Sequence, residues 1–286
     1  MAINRELNYS GESPLLYLIA TPIGNLSEFS PRAIQIISEM DFVASEDTRN
    51  TAKLLSFFSI SKPLISCHEH NEEEASEKIV ALLKEGRKVA YVSDAGYPCI
   101  SDPGERLVRK CLQNSIKIST VNGPNAALCA LAASGFDASH FYFYGFLPSK
   151  QSERIKELTK IEPREETTIL YESPHRINKT INDLYTVLGN RNICIARELT
   201  KAHEEFIRCT LEEATHLDQS TLLGEMVLVL EGKKETKEVV SEERIIESLK
   251  LHLKNERGKE AISNCSKELG VKKNLVYEIY LKIKEN

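Results

Sequence analysis

The chain has 286 residues, 41% hydrophobic and 28% charged, which is room for two domains and a small appendage with cores of their own. A net charge of −5 excludes a protein that coats nucleic acid indiscriminately, and seven scattered cysteines without a CxxC pair exclude a disulfide framework or zinc site and indicate a reducing cytoplasm. The first fourteen residues are polar and no apolar run approaches the roughly 18 needed to span a bilayer, so neither a targeting segment nor a membrane span is expected.

Leu15–Ala20 reads as an apolar strand ending in the Pro/Gly turn TPIGN, Thr21–Asn25. Ser30 and Pro31 open a helix, as cap and first helical residue, with Ala33, Ile34, Ile37 and Met40 on one face. A short strand at Asp41–Ala44, a helix at Thr51–Phe58, a strand at Pro63–Cys67 and a helix at Glu73–Glu85 closed by Gly86 follow. The strand Val89–Val92 then enters VSDAGYPCISDPG, Val92–Gly104, dense in Asp, Gly and Pro. Glycine lets backbone approach a ligand closely, and Asp bonds its own turn. Each Pro/Gly loop alone is an ordinary βα turn; two of them at strand ends of one sheet favour a small-ligand cleft. A helix at Asp102–Gln113 and a strand at Ile116–Val121 complete an alternation that implies a parallel sheet covered on both faces. NGP at Asn122–Pro124 breaks it, and the small-residue helix Ala126–Ala133 ends at Gly135. The first domain is therefore drawn as residues 1–121 and the second as 122–233.

The second domain repeats the alternation, with strands at Phe141–Tyr144, Thr167–Tyr171, Ile193–Arg197, Glu204–Thr210 and Glu225–Leu230. Helices are expected at Lys150–Lys160, Arg176–Leu188 and Leu211–Leu217, and Gly232–Val240 reads as a charged linker. The tail, residues 241–286, has no strand signal. Ile262, Cys265 and Leu269 precede Gly270, and Val271, Leu275, Val276, Ile279 and Ile283 follow at helical spacing, the pattern of a helix-turn-helix. Its second helix carries Lys272, Lys273, Lys282 and Lys284, and Glu242–Asn286 holds ten Lys/Arg against eight Glu, +2, leaving −7 for the rest. Contact with nucleic acid and simple packing are both open to such a unit.

Nine segments now stand in a recognisable order: LYLIATPIGNLSEFSPRA, ASEDTRNTAKLL, HEHNE, VSDAGYPCISDPG, VNGPNAALCALAASGF, FYGFLPSK, LYESPHRI, ARELTKAHEE and GEMVLVLEG. Together, from about Leu15 to Gly232, they resemble the tetrapyrrole methylase superfamily, and within it the branch that methylates ribose in ribosomal RNA, whose helical tail is also similar. Tyr97 and Cys99 stand where that family usually has Thr and Gly, and Asn125 where Ser is usual. The resemblance implies two α/β/α domains with S-adenosylmethionine held in the cleft between them, a homodimer, no metal, and 2′-O-methylation of cytidine 1402 in 16S ribosomal RNA. A methyltransferase acting on a tetrapyrrole or another small molecule stays open on the same scaffold, though it needs neither the tail nor the basic clusters. Dinucleotide and P-loop readings fail, because no GxGxxG follows a strand and GxxxxGK[ST] is absent.

On that resemblance Asp94, Ala95 and Gly96 contact the methionine part of the cofactor, and Pro124, Asn125 and Ala126 meet the adenosine. Ser101 is either a ligand contact or, with Asp102, the cap of the helix that Pro103 starts. Tyr171, Ala196 and Arg197, at strand ends, wall the cleft. Three charged clusters, Glu46–Arg49, Glu172–Arg176 and Lys201–Glu204, also follow strand ends, where solvated loops are charged in any case. As a set they offer Arg49, Arg176 and Lys201 to phosphate and Asp47, Glu172 or Glu204 as acceptor for the hydroxyl proton. Glu172 is favoured because it ends a strand beside His175 and Arg176. His68 and His70 would point the same way on a strand, but no third ligand has fitting spacing, so an RNA-facing or structural role is read rather than metal. Phe141–Tyr144 with Phe146 either stacks bases or alternates as a buried strand; Lys150 and Arg154 are the better candidates for RNA backbone.

Overall fold

This computed structural model describes residues 15–234 and 240–285; the expected polar lead and residues 235–239 of the expected linker lie outside the described residues. β1 (Leu15–Ile19), β2 (Phe42–Ser45), β3 (Leu64–Ser66), β4 (Val89–Val92) and β5 (Lys117–Val121) form one sheet in the order β3-β2-β4-β1-β5, every pair parallel. Along β4 the side chains alternate between two cores. Val89 and Tyr91 face Ile79 and Leu83 of α3 (Glu72–Lys84) and Leu107 and Cys111 of α4 (Glu105–Gln113). Ala90 and Val92 face Ala33 and Ile37 of α1 (Pro31–Glu39) and Leu55 of α2 (Thr48–Phe57). A strand buried on both faces has no polar side to show, which is why VAYV reads as continuously apolar.

Strands β1 and β4 are neighbours, yet β1 continues through α1 to β2 on one side and β4 through α4 to β5 on the other. Their C-terminal ends therefore flank the point where the winding direction reverses, the place where open α/β sheets leave a crevice for ligands. Both Pro/Gly loops start there.

The second sheet contains β6 (Phe141–Phe146), β7 (Thr167–Glu172), β8 (Asn192–Arg197), β9 (Glu205–Thr210) and β10 (Met226–Leu230), in the order β6-β7-β10-β8-β9. Only β6 and β7 run parallel; the other three pairings are antiparallel. The strand–helix rhythm fails here because residues 198–204 between β8 and β9 are too few for a parallel crossover, and α8 (Leu211–Ala214) is one turn long. The layering persists. Ile169, Cys194, Ala196 and Val229 face Ala130 and Leu131 of α5 (Ala126–Ser134). Ile193, Ile195 and Leu228 face Leu158 of α6 (Gln151–Ile161) and Ile181 and Leu184 of α7 (Ile177–Leu188). Each sheet is thus sandwiched as α/β/α, and α5, which follows β5 in sequence, already belongs to the second core.

Two helix starts differ from expectation for local reasons. α2 begins at Thr48 because Asp47 caps it, accepting from the Arg49 N–H at 2.8 Å. α4 begins at Glu105, and its cap is supplied by neither Ser101 nor Asp102: the buried Glu72 carboxylate accepts from the N–H groups of Gly104 (3.0 Å) and Arg106 (2.9 Å). The preceding residues are instead held in an open loop with positive φ at Cys99 (70°), Ser101 (61°) and Gly104 (127°).

The tail is a separate unit of three helices, α9 (Glu242–Leu253), α10 (Gly258–Glu268) and α11 (Lys273–Glu285), around Ile245, Leu249, Ala261, Cys265, Val276 and Ile279. The expected helix-turn-helix is its last two helices, with Gly270 at φ 64° in the turn. Among the described residues no helix is long and apolar enough to cross a membrane.

Candidate active site

The two loops at the reversal point are tied to each other before any ligand is considered. Thr21 and Gly96 exchange backbone hydrogen bonds of 2.9 and 3.0 Å, the Thr21 hydroxyl donates to Ser93 O, and the Ser93 hydroxyl donates to Gly96 O. Gly96 has φ 78°, a conformation that favours glycine. Between these loops and the second sheet lies a cavity of ≈ 390 Å³. Asp94, Ala95, Gly96, Ser101 and Asp102 line it from the first half, and Asn125, Ala126 and Tyr171 from the second.

The lining is chemically divided. Ile23, Leu199, Met226 and Val227 form an aliphatic part, and Phe146 and Tyr171 an aromatic one, with ring centroids 5.4 Å apart. The strand pairing explains Phe146. A bulge between Phe143 and Gly145 adds a residue to β6, so Phe143 and Phe146 both meet the Tyr171 ring instead of pointing to opposite faces. Glycine suits position 145 because its φ is 82°, and a Cβ there would also crowd the Ser101 Oγ at 2.8 Å.

Carboxylates supply the charge. The Asp94 oxygens accept from the Asp47 N–H (3.2 Å) and the Asn50 amide (3.1 Å), which fix the group at the rim. Burial, then the charges of Glu46 and Asp94, push the Asp102 carboxyl up to about 7. Glu46 is raised by the same two influences, burial first and Asp94 next. Tyr97 ties the loop to the hinge, donating to the Asn122 side chain and accepting from the Gly123 N–H at 3.2 Å. A cavity with acidic, aromatic and aliphatic walls suits a ligand that joins a flat apolar ring to positive charge.

Several expected residues are engaged in other bonds or stand elsewhere. The favoured acceptor Glu172 lines the cavity beside Ser173 and Pro174 but is 3% exposed and engaged at both oxygens: one accepts from the Ser173 N–H at 2.8 Å and the other from the Thr180 hydroxyl, with Arg176 3.3 Å away. Asp47 is held down to about 2 by its hydrogen bonds with Arg49, a poor state for taking a proton. Glu204 accepts from the Thr200 N–H and shapes its own turn. Arg154, expected on RNA, is 3% exposed, bonded to Asp183 and to the carbonyls of Pro148 and Ser149. Arg176 likewise spends its guanidinium on Leu147 O and Ser149 Oγ. Ala196 is fully buried under α5, Arg197 is bound to Glu205 and Leu223 O, and Pro124 lies behind Gly96 rather than in the cavity wall.

Lys201 does reach the cavity, bridging Glu198 (3.0 Å) and Glu225 (2.9 Å). Arg49, Lys150, Lys272 and Lys273 are exposed. His68 and His70 lie in a turn after β3, not on a strand, with rings meeting edge-on at 6.0 Å. Among the described residues no group of three potential metal ligands forms. Ile23, Tyr97, Ile100, Phe146, Leu199 and Met226 line the cavity without having been singled out for the cofactor. Ile23, Tyr97 and Ile100 carried a signal, their places inside the two Pro/Gly loops, and Phe146 was read only for base stacking or burial.

The sequence model of the tetrapyrrole (corrin/porphyrin) methylases matches residues 15–215. A Halalkalibacterium halodurans protein named ribosomal RNA small subunit methyltransferase I is 46% identical over 273 residues, 93% of this chain and 94% of that one. A Thermotoga maritima protein of the same name is 43% identical over 219 residues, 76% of this chain but 98% of the relative. Among solved structures, a uroporphyrin-III C-methyltransferase from Thermus thermophilus superposes with TM-score 0.56 at 17% identity, over 76% of this chain and 94% of that one, a likeness of fold.

Proposed function

Because the chain belongs to the tetrapyrrole (corrin/porphyrin) methylase family, we propose that it is an S-adenosylmethionine-dependent methyltransferase acting on the ribose 2′-hydroxyl of a cytidine, cytidine 1402, in 16S ribosomal RNA. The observation that carries this reading is the match to proteins named for small-subunit ribosomal RNA, which runs through both sheets and on into the tail. In this reading the enzyme is a cytoplasmic homodimer that needs no metal.

The cavity fits the cofactor by the chemistry of its walls. S-adenosylmethionine, when bound, supplies a methyl carbon on positively charged sulfur. Ile23, Leu199 and Val227 offer an apolar slot to an adenine ring, and Phe146 and Tyr171 offer π-faces to a cation, each worth about 0.5–2 kcal/mol. Asp94 and Asp102 lend negative charge to the same cavity. The ribose oxygen attacks in line, so the protein's main task is positioning. The hydroxyl is a weak acid, and its proton needs an acceptor as the new O–C bond forms and the C–S bond breaks. Asp102 takes that role here: it lines the cavity, and a carboxyl pushed up to about 7 is matched to proton transfer near neutrality. Glu172 instead holds Arg176, which holds the loop Leu147–Ser149.

The test is made on RNA. Small ribosomal subunits from cells lacking the protein, incubated with enzyme and S-adenosylmethionine, should yield 16S RNA with one alkali-resistant linkage, because alkaline cleavage needs the free 2′-oxygen. A methylated product that still cleaves would place the methyl group on a base and end the ribose reading.

A further inference from the structure

A second hollow, of about 310 Å³, opens at the same end of the first sheet, between α2 and the loop after β1. The two hollows share Asp94, and successive loop residues divide between them: Pro22 and Gly24 line the outer one, Ile23 the cofactor cavity. Adjacent residues of one loop thus separate the hollows, and the Thr21–Gly96 bridge holds that loop in place. The other wall is a single face of α2. Asn50, Lys53, Leu54 and Phe57 follow one another at i, i+3, i+4 and i+7.

That face is unusual for a surface. Phe57 is 64% exposed; its aromatic neighbour Phe58 meets its ring in an edge contact at 5.0 Å. Leu26, across the hollow, is also exposed, and Lys53 makes no ion pair among the described residues. Here the exposed apolar side chains and the cation line one hollow beside the cofactor cavity, which sets them apart from apolar residues scattered singly over a surface. Asn50 reaches from this wall to Asp94, so the outer hollow and the rim of the cofactor cavity are joined by one hydrogen bond.

We propose that this hollow receives one unstacked nucleotide of the RNA acceptor, its base laid on Phe57 and its phosphate met by Lys53, so that the ribose is presented past Asp94 to the methyl donor. The inference rests on the reading of the enzyme as an RNA methyltransferase and names the subsite that reading lacks. A hollow of this size admits a single nucleotide and not a duplex, and proteins that recognise single-stranded RNA lay its unstacked bases on aromatic side chains. Stacking on an exposed ring is indifferent to the base, whereas the phosphate contact is electrostatic. An in-line displacement needs the ribose oxygen in direct contact with the methyl carbon, on the side opposite sulfur, so the ribose must pass the partition at Asp94, the residue both hollows share.

Phe57→Ala should raise KM for small subunits by about 5- to 100-fold, the loss expected for one stacked base, while the Kd for S-adenosylmethionine stays unchanged. Lys53→Ala should flatten the salt dependence of RNA binding by about one unit of slope. The chain has no tryptophan, so Phe57→Trp places its one indole in the hollow, and single-stranded oligocytidylate should quench that fluorescence to saturation. If the wild type methylates ribosomal RNA, unchanged KM in Phe57→Ala or an unquenched indole while oligocytidylate binds would overturn the subsite alone. If the wild type leaves ribosomal RNA unmethylated, the acceptor reading falls and the subsite falls with it.

Discussion

Asp102 faces opposite demands from stability and from chemistry. Its carboxyl, raised from 3.8 to about 7, holds its proton more tightly in the folded chain than in the unfolded one. The stability this contributes is complete below about pH 4 and is lost as pH rises through 7. Asp102→Asn stays neutral throughout, so its Tm should exceed that of the wild type at pH 8, by about 2–4 °C for each kcal/mol regained, and the difference should vanish toward pH 4. Turnover should fall roughly 10²-fold or more, and the rise of kcat with pH near 7 should disappear. Glu172→Gln should do the reverse, lowering Tm at neutral pH by loosening a buried contact with Arg176 while leaving the pH profile in place. A profile unchanged in Asp102→Asn would move proton acceptance to another carboxylate. Which carboxylate at the cavity is free to take a proton was not legible in the sequence, because a strand end says where a side chain starts and not what binds it. Glu172 lines the cavity. Thr180, eight residues on, donates to one of its oxygens, and no local pattern announces that bond.

At the scale of elements, sequence periodicity found each strand within a few residues, since β4 is apolar on both faces and α1 carries its cap and proline in plain view. It missed the mixed second sheet, whose strands are as apolar as parallel ones but whose short connections force antiparallel pairing. It also placed the start of α4 three residues early, because the capping group is Glu72, distant in sequence. The tail illustrates an element whose outline was legible and whose task was not. Lys272 and Lys273 stand exposed at the start of α11, while Lys282 is engaged with Glu242 at 2.8 Å. A chain ending at Lys234 should bind S-adenosylmethionine as the full chain does, because every cavity residue precedes that point. Its affinity for ribosomal RNA should fall, with a salt slope shallower by one to two units if both lysines meet phosphate, a slope of about 0.7–0.9 per contact. Equal affinity at every salt concentration would reduce the tail to packing.

For the whole molecule, a ligand held between two sheets must stabilise their joint fold. At one hundred times its Kd, S-adenosylmethionine should add about 2.7 kcal/mol, visible as a Tm rise of roughly 5–11 °C that EDTA leaves untouched. A rise abolished by EDTA would require a metal. The strand order carries one more consequence, for synthesis. Everything the first sheet needs is outside the ribosome once β5 has emerged, whereas β10, the last strand of the second sheet, lies between β7 and β8. Until Met226–Leu230 emerges, those two strands present unpaired backbone edges toward each other across a gap. The nascent second half is therefore open at its centre, not at its rim, and it closes with the arrival of a single five-residue segment. A ribosome stalled short of Met226 would display a finished first sheet beside an adhesive second one, which makes the last forty residues before the tail the stretch where chaperones matter most to this chain.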